Sequence, residues 1–250
     1  MFPIAHLYLL SRITNLDRLG ALGAMFPDTC IGGELKWEAT HRPGFQIAPA
    51  FSANPDRRCD AFLRGLFTHT VDPQGLDYYN DHKLEPHPRG YSFVKAALLV
   101  EGVKTACGVD ESIALWKAHN FIEMGIENLL ARENPYLTQA LFDAFADRET
   151  IEALSLRLAP FFQTSPEVVV RGYQILERYS CRAPQVPLQL AETYRRQLEL
   201  KHQLDGIDVE AVRDLILQSR ELVRDDYRQF LEFCREKIEA ELEEMALLRP

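Results

Sequence analysis

One stretch of the sequence combines an imidazole with carboxylates at helical spacing. His119, Glu123 and Glu127 follow one another at intervals of four residues in KAHNFIEMGIE, a segment with the apolar pattern of a helix. Residues four apart in a helix lie on nearly the same face. Polar groups facing an apolar groove are costly to bury unless something compensates them, and a divalent cation is the simplest compensation. His119 and Glu123 are therefore predicted to give a nitrogen and an oxygen ligand to a metal ion.

A second histidine–carboxylate pair ends another predicted helix. His69 and Asp72 in FTHTVD are three residues apart, and the preceding helix carries Phe62 and Leu66 on an apolar stripe that His69 continues. Two helices that each offer one histidine and one carboxylate can enclose a metal ion between them. We therefore predict His69 and Asp72 as further ligands. Because Asp72 precedes Pro73, a simple turn is the alternative role for this aspartate.

Three more candidates lie upstream of these pairs. His6 interrupts the apolar face of the first helix, Asp28 follows a proline in GAMFPD, and His41 lies in the loop THRPGF. Each also has a structural interpretation. His6 suits a core histidine bonded to a backbone carbonyl, Asp28 suits a helix cap, and His41 suits the surface. His82 and His87 lie in a polar loop with two aspartates and are predicted to be surface residues.

The order of these residues resembles that of the zinc-dependent phospholipase C group, which includes related single-strand nucleases. Enzymes of this group are all-helical, bind up to three zinc ions through His and Asp/Glu side chains, and hydrolyse phosphodiesters. The resemblance covers about half of the chain, residues 1–130. It implies that His6 is the early His ligand, Asp28 the bridging carboxylate and His41 the loop His. The middle pair would be His69 with Asp72, and the last pair His119 with Glu123.

The resemblance implies a metal-dependent hydrolase that acts on a small phosphoric ester. Zinc lowers the pKa of bound water to about 7 and so gives a hydroxide nucleophile at neutral pH. Asp28 or Asp72 would bridge the ions or orient the water, and Glu127 would hydrogen-bond a ligating histidine. No histidine follows soon after Asp72 unless His82 serves, so we expect one or two ions. Zinc is the expected metal, and manganese or iron would also suit these ligands.

Two other classes of function stay open. A non-catalytic helical protein with a vestigial metal site would act through partners, which the acidic carboxy-terminal region suits. A different helical metal enzyme, such as an acyl-carrier-protein phosphodiesterase, is indicated by AHLYLL and DYYNDH. An HD-type phosphohydrolase needs an adjacent His–Asp doublet, which the sequence lacks. Di-iron bundles place the carboxylate before the histidine, whereas here the histidine comes first in both pairs.

Composition excludes several classes of protein. The 250 residues are 46% hydrophobic and 26% charged, which is typical of a globular chain. A net charge of −9 disfavours binding to extended nucleic acid. Five cysteines without a CxxC motif favour reduced thiols in the cytoplasm. No apolar run approaches the roughly 18 residues that a membrane-spanning helix needs.

The hydrophobic periodicity is helical nearly throughout and predicts an all-α, multi-helix bundle with a long carboxy-terminal helix. The predicted helices are residues 3–16, 55–71, 92–108, 111–134, 136–146, 148–162, 166–179, 188–204 and 208–247. We predict a metal-binding helical core at 1–134 and a helical extension packed on it at 135–250, with one single domain as the alternative. The carboxy-terminal helices are predicted to mediate a homodimer.

Overall fold

A computed structural model describes residues 2–48, 57–245 and 247. The described part of the chain is all-helical, which confirms the predicted fold class. Its α-helices are α1 (Pro3–Ile13), α2 (Arg18–Met25), α3 (Trp37–His41), α4 (Arg57–His69), α5 (Tyr91–Ala96), α6 (Val100–Cys107), α7 (Glu111–Glu133), α8 (Pro135–Ala146), α9 (Arg148–Phe161), α10 (Pro166–Tyr179), α11 (Pro187–His202), α12 (Val209–Val223) and α13 (Tyr227–Glu244). Shorter helical turns cover Pro27–Gly32, Phe45–Ile47 and Tyr78–His82.

Most helices begin and end within a few residues of the predicted positions, because their end signals act locally. Gly108 follows α6 in the left-handed conformation, with φ 63°, as expected of a glycine that ends a helix. Asp110 precedes α7 as predicted, although its carboxylate makes no capping hydrogen bond. The predicted start of α4 at residue 55 lies outside the described residues.

The segment predicted as one helix at 92–108 is two helices, α5 and α6. The chain tightens between them, where the Leu98 N–H donates to the Lys95 carbonyl at 3.2 Å and the Leu99 N–H to the Ala96 carbonyl at 2.9 Å. These bonds span three residues instead of four, which is the pattern of a 3₁₀ turn. No glycine or proline marks this break in the sequence.

The predicted long carboxy-terminal helix is also two helices, α12 and α13. The break falls before Tyr227, where the Asp226 N–H donates to the Val223 carbonyl at 3.2 Å. The Asp226 carboxylate accepts from the Tyr91 hydroxyl at 2.6 Å and lies 2.8 Å from Lys95 Nζ. These contacts with α5 hold Asp226 outside a regular helix. Within the predicted end of this region, residue 246 lies outside the described residues.

The chain divides into two compact units. The first unit combines the amino-terminal residues up to 5 with residues 79–138 and 179–231. In it, α5, α6 and α12 pack against the long helix α7, and α11 packs against α12. Because α11 and α12 come from the predicted extension while α7 comes from the predicted core, this division does not follow the predicted boundary at 134/135.

The second unit combines residues 6–78, 139–178 and 232–250. Its closest helix pair is α2 with α4. A Cβ added at Gly65 would lie 2.0 Å from the Gly20 carbonyl oxygen, and one added at Gly23 would lie 2.1 Å from the Phe62 carbonyl oxygen. Only glycine allows the two backbones to approach this closely.

Among the residues that the structure describes, no helix combines the length and the apolar character needed to cross a bilayer.

Candidate functional site

The second unit brings three histidines and two aspartates together. They come from five separate segments of its chain: α1, the turn after α2, the end of α3, the end of α4, and the residue before the turn at Tyr78–His82. In that order they are His6, Asp28, His41, His69 and Asp77, and this set is called the His/Asp cluster below.

The imidazole Nε2 atoms of the cluster face the same two carboxylates. Asp77 Oδ1 lies 3.5 Å from His6 Nε2, and Asp77 Oδ2 lies 3.3 Å from His69 Nε2 and 3.6 Å from His41 Nε2. Asp28 Oδ1 lies 3.7 Å from His41 Nε2 and 4.0 Å from His69 Nε2. Asp77 thus presents one oxygen to His6 and the other to the remaining two histidines.

Backbone carbonyls fix the orientation of two of these rings. His69 Nδ1 lies 2.5 Å from the Ala24 carbonyl oxygen, and His41 Nδ1 lies 3.2 Å from the Trp37 carbonyl oxygen. A carbonyl accepts only, so in each ring the Nδ1–H must be the donor. A neutral imidazole then carries its lone pair on Nε2, which is the arrangement that metal-ligating histidines show. Within the described part of the chain, His69 Nε2 has no well-aligned hydrogen-bond partner.

The close approach of α2 to α4 explains why His69 reaches Ala24. Both residues lie at or next to the ends of these helices, where glycine contacts bring the backbones together. The His69 ring also stacks on the His6 ring, with centroids 3.5 Å apart and an interplanar angle of 4°. His69 is therefore held on one side by a carbonyl and on another by a second imidazole.

Burial and charge act against each other in the cluster. Burial and then the neighbouring His69 lower the pKa of His6. Burial would also lower the pKa of His69, but the carboxylates of Asp77 and Asp28 outweigh it and raise that pKa. Burial alone would raise the pKa of both aspartates, yet the positive charges around them, His69 among them, hold each pKa well below its usual range. Both carboxylates are thus ionised at neutral pH.

The spacing of the donor atoms fits a metal ion better than it fits hydrogen bonds. Ligands bound at 2.0–2.1 Å in a tetrahedral site lie about 3.3 Å from one another. The five nitrogen–oxygen separations of the cluster run from 3.3 to 4.0 Å. Hydrogen bonds of this type are usually 2.7–3.2 Å long. These separations are therefore longer than ordinary hydrogen bonds, and the shortest of them equals the spacing of two ligands around one cation.

The first unit holds a separate group of possible ligands on and near α7. Asp81, His119 and Glu123 each place one ligand atom within 4.8 Å of the others. Glu123 Oε1 accepts from the Asn80 side-chain amide at 2.6 Å, and Asn80 Oδ1 accepts from the Ser92 hydroxyl at 2.6 Å. The Asn80 amide also donates to Asp81. Asn80 thus holds both carboxylates of this group.

Two aromatic rings flank the imidazole of the first unit's group. Phe93 stacks on His119 with ring centroids 4.4 Å apart, and Trp116 meets it edge-on at 4.9 Å. Trp116 is 53% exposed, whereas His119 is buried. This apolar cover limits the directions in which the ring of His119 can turn.

The structure places the predicted site residues in two sets. His6, Asp28, His41 and His69 meet in the second unit, and His119 with Glu123 belongs to the first unit's group. Asp72 lies exposed at the end of α4 and belongs to neither group. These two groups contain every combination of three or more possible metal ligands among the described residues.

Sequence reasoning missed the acids that complete both groups. Asp77 and Asp81 lie in DYYND, which the sequence analysis placed in a polar loop. Their spacing of four residues, the same as that of His119 and Glu123, was the available signal. Asn80, between them, carries no charge and gave no signal of its own.

Glu127 does not hydrogen-bond a ligating histidine in the way that was predicted. Its Oε2 accepts from the backbone N–H groups of Ile4 at 2.9 Å and Ala5 at 3.2 Å, and its Oε1 accepts from Ile4 at 3.1 Å. The N–H groups of a first helical turn lack partners within their own helix. Glu127 supplies those partners to α1, so we assign it a structural role.

Comparisons of the chain with protein-family models, with curated proteins and with solved structures gave no match. Within the described residues, the two groups of possible ligands are therefore the features that bear most directly on function.

Proposed function

We propose that the His/Asp cluster binds a divalent metal ion and that the protein is a metal-dependent hydrolase of phosphoric esters. One observation carries the proposal. Three imidazole Nε2 atoms face two ionised carboxylates at 3.3–4.0 Å, and backbone carbonyls direct two of those rings. A cation among these donors would compensate the two ionised carboxylates, of which Asp77 is buried.

The donor set supports zinc, with manganese or iron as alternatives. Imidazole nitrogens and carboxylate oxygens are common zinc ligands, and no cysteine among the described residues belongs to the cluster. His69 belongs to both groups of three ligands within the cluster, and Asp77 presents its two oxygens to different histidines. The cluster therefore suits one ion with several donors, or two ions with Asp77 between them.

Asp28 marks the side from which a substrate would enter. Its side chain is 30% exposed, whereas the side chains of His6, His41, His69 and Asp77 are at most 4% exposed. Asp28 also remains ionised, so it can accept a hydrogen bond from an attacking water and orient it. A divalent ion in the cluster would supply Lewis acidity toward a phosphoryl oxygen and would acidify a bound water.

The first unit's group is proposed as a metal site in its own right. His119 and Glu123 would act as the nitrogen and oxygen ligands that their spacing predicts, and Asp81 would be the third ligand. Asn80 would keep the Glu123 carboxylate in place through its 2.6 Å hydrogen bond.

The choice of a phosphoric ester rests on the order of the candidate residues, which resembles the zinc-dependent phospholipase C group. An acyl-carrier-protein phosphodiesterase would use the same chemistry on a larger substrate. A cytoplasmic location and a homodimer formed through the carboxy-terminal helices belong to the same proposal.

Burial of the cluster favours one alternative function. Because four of its five side chains are almost inaccessible, the cluster would also suit a metal that only stabilises a helical interaction protein. Turnover separates the two functions.

The test measures hydrolysis of bis(p-nitrophenyl) phosphate by the full chain after addition of zinc, manganese or iron. The hydrolase proposal expects metal-dependent turnover that His69→Ala abolishes and that His87→Ala, at an exposed histidine outside both groups, leaves unchanged. Metal binding without turnover of any phosphodiester would favour the structural alternative. Turnover that survives in His69→Ala would contradict the proposed site.

A further inference from the structure

A lysine is buried in the first unit, two residues before His119 on the same helix. Lys117 lies on α7 and is only 5% exposed. Its ammonium lies 2.6 Å from Nε2 of His202, in the last turn of α11. A buried ammonium normally has an acidic partner, because removing a charge from water is costly.

The described part of the chain gives Lys117 no negative partner. The charges that act on it are those of Lys201, which disfavours the charged ammonium, and of the Cys107 thiol, which would favour it. Burial raises the pKa of Cys107 to about 12, so this thiol is neutral near neutral pH. Burial and then Lys201 lower the pKa of Lys117, as expected of an ammonium without a counter-charge.

His202 is the acceptor for Lys117 and not a counter-charge. Burial and the two neighbouring lysines, Lys117 and Lys201, lower the pKa of His202, so its imidazole is neutral and Nε2 carries a lone pair. One of the three N–H groups of Lys117 donates to this lone pair. The other two have no acceptor among the residues that the structure describes. Donors of this kind are satisfied by a ligand or by water.

The site opens to solvent on the side of α11. Lys201 and His202 are exposed at the end of this helix, and His202 contacts the buried Lys117. The ammonium of Lys201 acts electrostatically on both Lys117 and His202, so positive charge is concentrated here in a protein whose net charge is −9. An anion bound beside His202 would lie next to the ammonium of Lys117, because His202 contacts that ammonium.

We propose that Lys117, Lys201 and His202 form a binding site for a phosphate group, either free phosphate or the phosphate of a monoester. A phosphate dianion matches the two lysine charges and offers several acceptor oxygens to the unused donors. A carboxylate would supply only one charge. This site is separate from the His/Asp cluster, and it does not depend on the proposed hydrolase function.

The experiment is calorimetric titration of the full chain, as purified, with inorganic phosphate at constant ionic strength. Glycerol 3-phosphate forms a second arm that separates free phosphate from a monoester, and acetate tests the preference for a dianion. We expect one phosphate-binding event that Lys117→Met weakens at least about tenfold, the loss typical of a charged hydrogen bond. Acetate should bind more weakly than phosphate.

Lys104→Met is the matched control, because Lys104 is a lysine of the same unit whose ammonium is paired with Glu101 and Glu111. It should leave phosphate binding unchanged. If Lys117→Met does not fold, His202→Asn and Lys201→Met decide the question, since both residues are exposed, and each should weaken binding. The absence of phosphate binding at millimolar concentration, or equal binding by these variants and the wild-type chain, would overturn the proposal.

Discussion

His69 is the residue on which the His/Asp cluster depends most. One ring nitrogen is fixed by the Ala24 carbonyl, the other faces both aspartates, and the ring face stacks on His6. The carboxylates raise its pKa, so in the absence of a metal ion this ring retains a proton more readily than an ordinary histidine. A metal ion would replace that proton. His69 would thus be the position at which a proton and a metal ion compete.

The first prediction distinguishes two aspartates close in sequence. Asp77 faces all three histidines, whereas Asp72 is exposed outside the cluster. Asp77→Asn removes a ligand charge and should weaken metal binding at least about tenfold. Asp72→Asn should leave metal affinity within about twofold of that of the wild-type chain. Metal titration of both variants measures the difference.

Equal losses in the two variants would contradict the geometry of the cluster. A loss confined to Asp72→Asn would restore the ligand assignment made from the sequence, in which His69 and Asp72 form the pair.

At the scale of helices, the tight packing of α2 against α4 positions the cluster. Gly65 contacts the backbone of α2, and the same helix pair brings the Ala24 carbonyl to His69. Any side chain at Gly65 must push these helices apart, and the cluster lies at their ends.

We expect Gly65→Ala to destabilise the protein by about 2 kcal/mol or more, because its Cβ would lie 2.0 Å from a backbone oxygen. Gly20→Ala is the control on the same interface, since its Cβ meets no atom closer than 3.2 Å. Urea denaturation measures both. Equal stabilities of the two variants would show that the helices separate at little cost.

A further prediction concerns the contact between α7 and the start of α1. Burial raises the pKa of Glu127 to about 8, against 4.5 in an unfolded chain, although the N–H groups of Ile4 and Ala5 oppose this shift. Between these two pH values the folded protein holds a proton that the unfolded chain has lost. The free energy of unfolding should therefore fall as the pH rises from about 5 to 8.

The side chain of Glu127→Gln cannot titrate. The free energy of unfolding of this variant should therefore fall less between pH 5 and pH 8 than that of the wild-type chain. Urea denaturation at pH 5 and pH 8 compares it with the wild-type chain and with Glu152→Gln, a change at an exposed glutamate. The same pH dependence in all three proteins would show that Glu127 is ionised in the folded state.

The sequence predicts helices well because their apolar periodicity and end signals are local. It does not predict the helix breaks near Leu98 and Asp226, because no glycine or proline marks them. At Asp226, the break also depends on contacts with a helix that is distant in sequence. The histidines were found because imidazoles on apolar faces are unusual. Asp77 and Asp81 were not found, because the direction in which a side chain points from a loop depends on contacts in the folded chain.

At the scale of the whole molecule, a metal that binds only the folded chain must stabilise it. The stabilisation is about 2.7 kcal/mol when the free metal concentration is 100 times the dissociation constant. Removing the metal with a chelator should lower the thermal midpoint, and adding zinc back should restore it. Asp77→Asn should respond much less to either treatment. A midpoint that does not change on chelation would mean that metal does not stabilise the fold.

The metal content of the purified protein tests the central claim most directly. Elemental analysis should find at least one zinc, manganese or iron ion per wild-type chain, and His69→Ala should contain at least one ion fewer. His119→Ala reports separately on the first unit's group, and His87→Ala should match the wild-type content. A wild-type chain that binds no metal even after reconstitution, or a His69→Ala variant with unchanged content, would contradict the account.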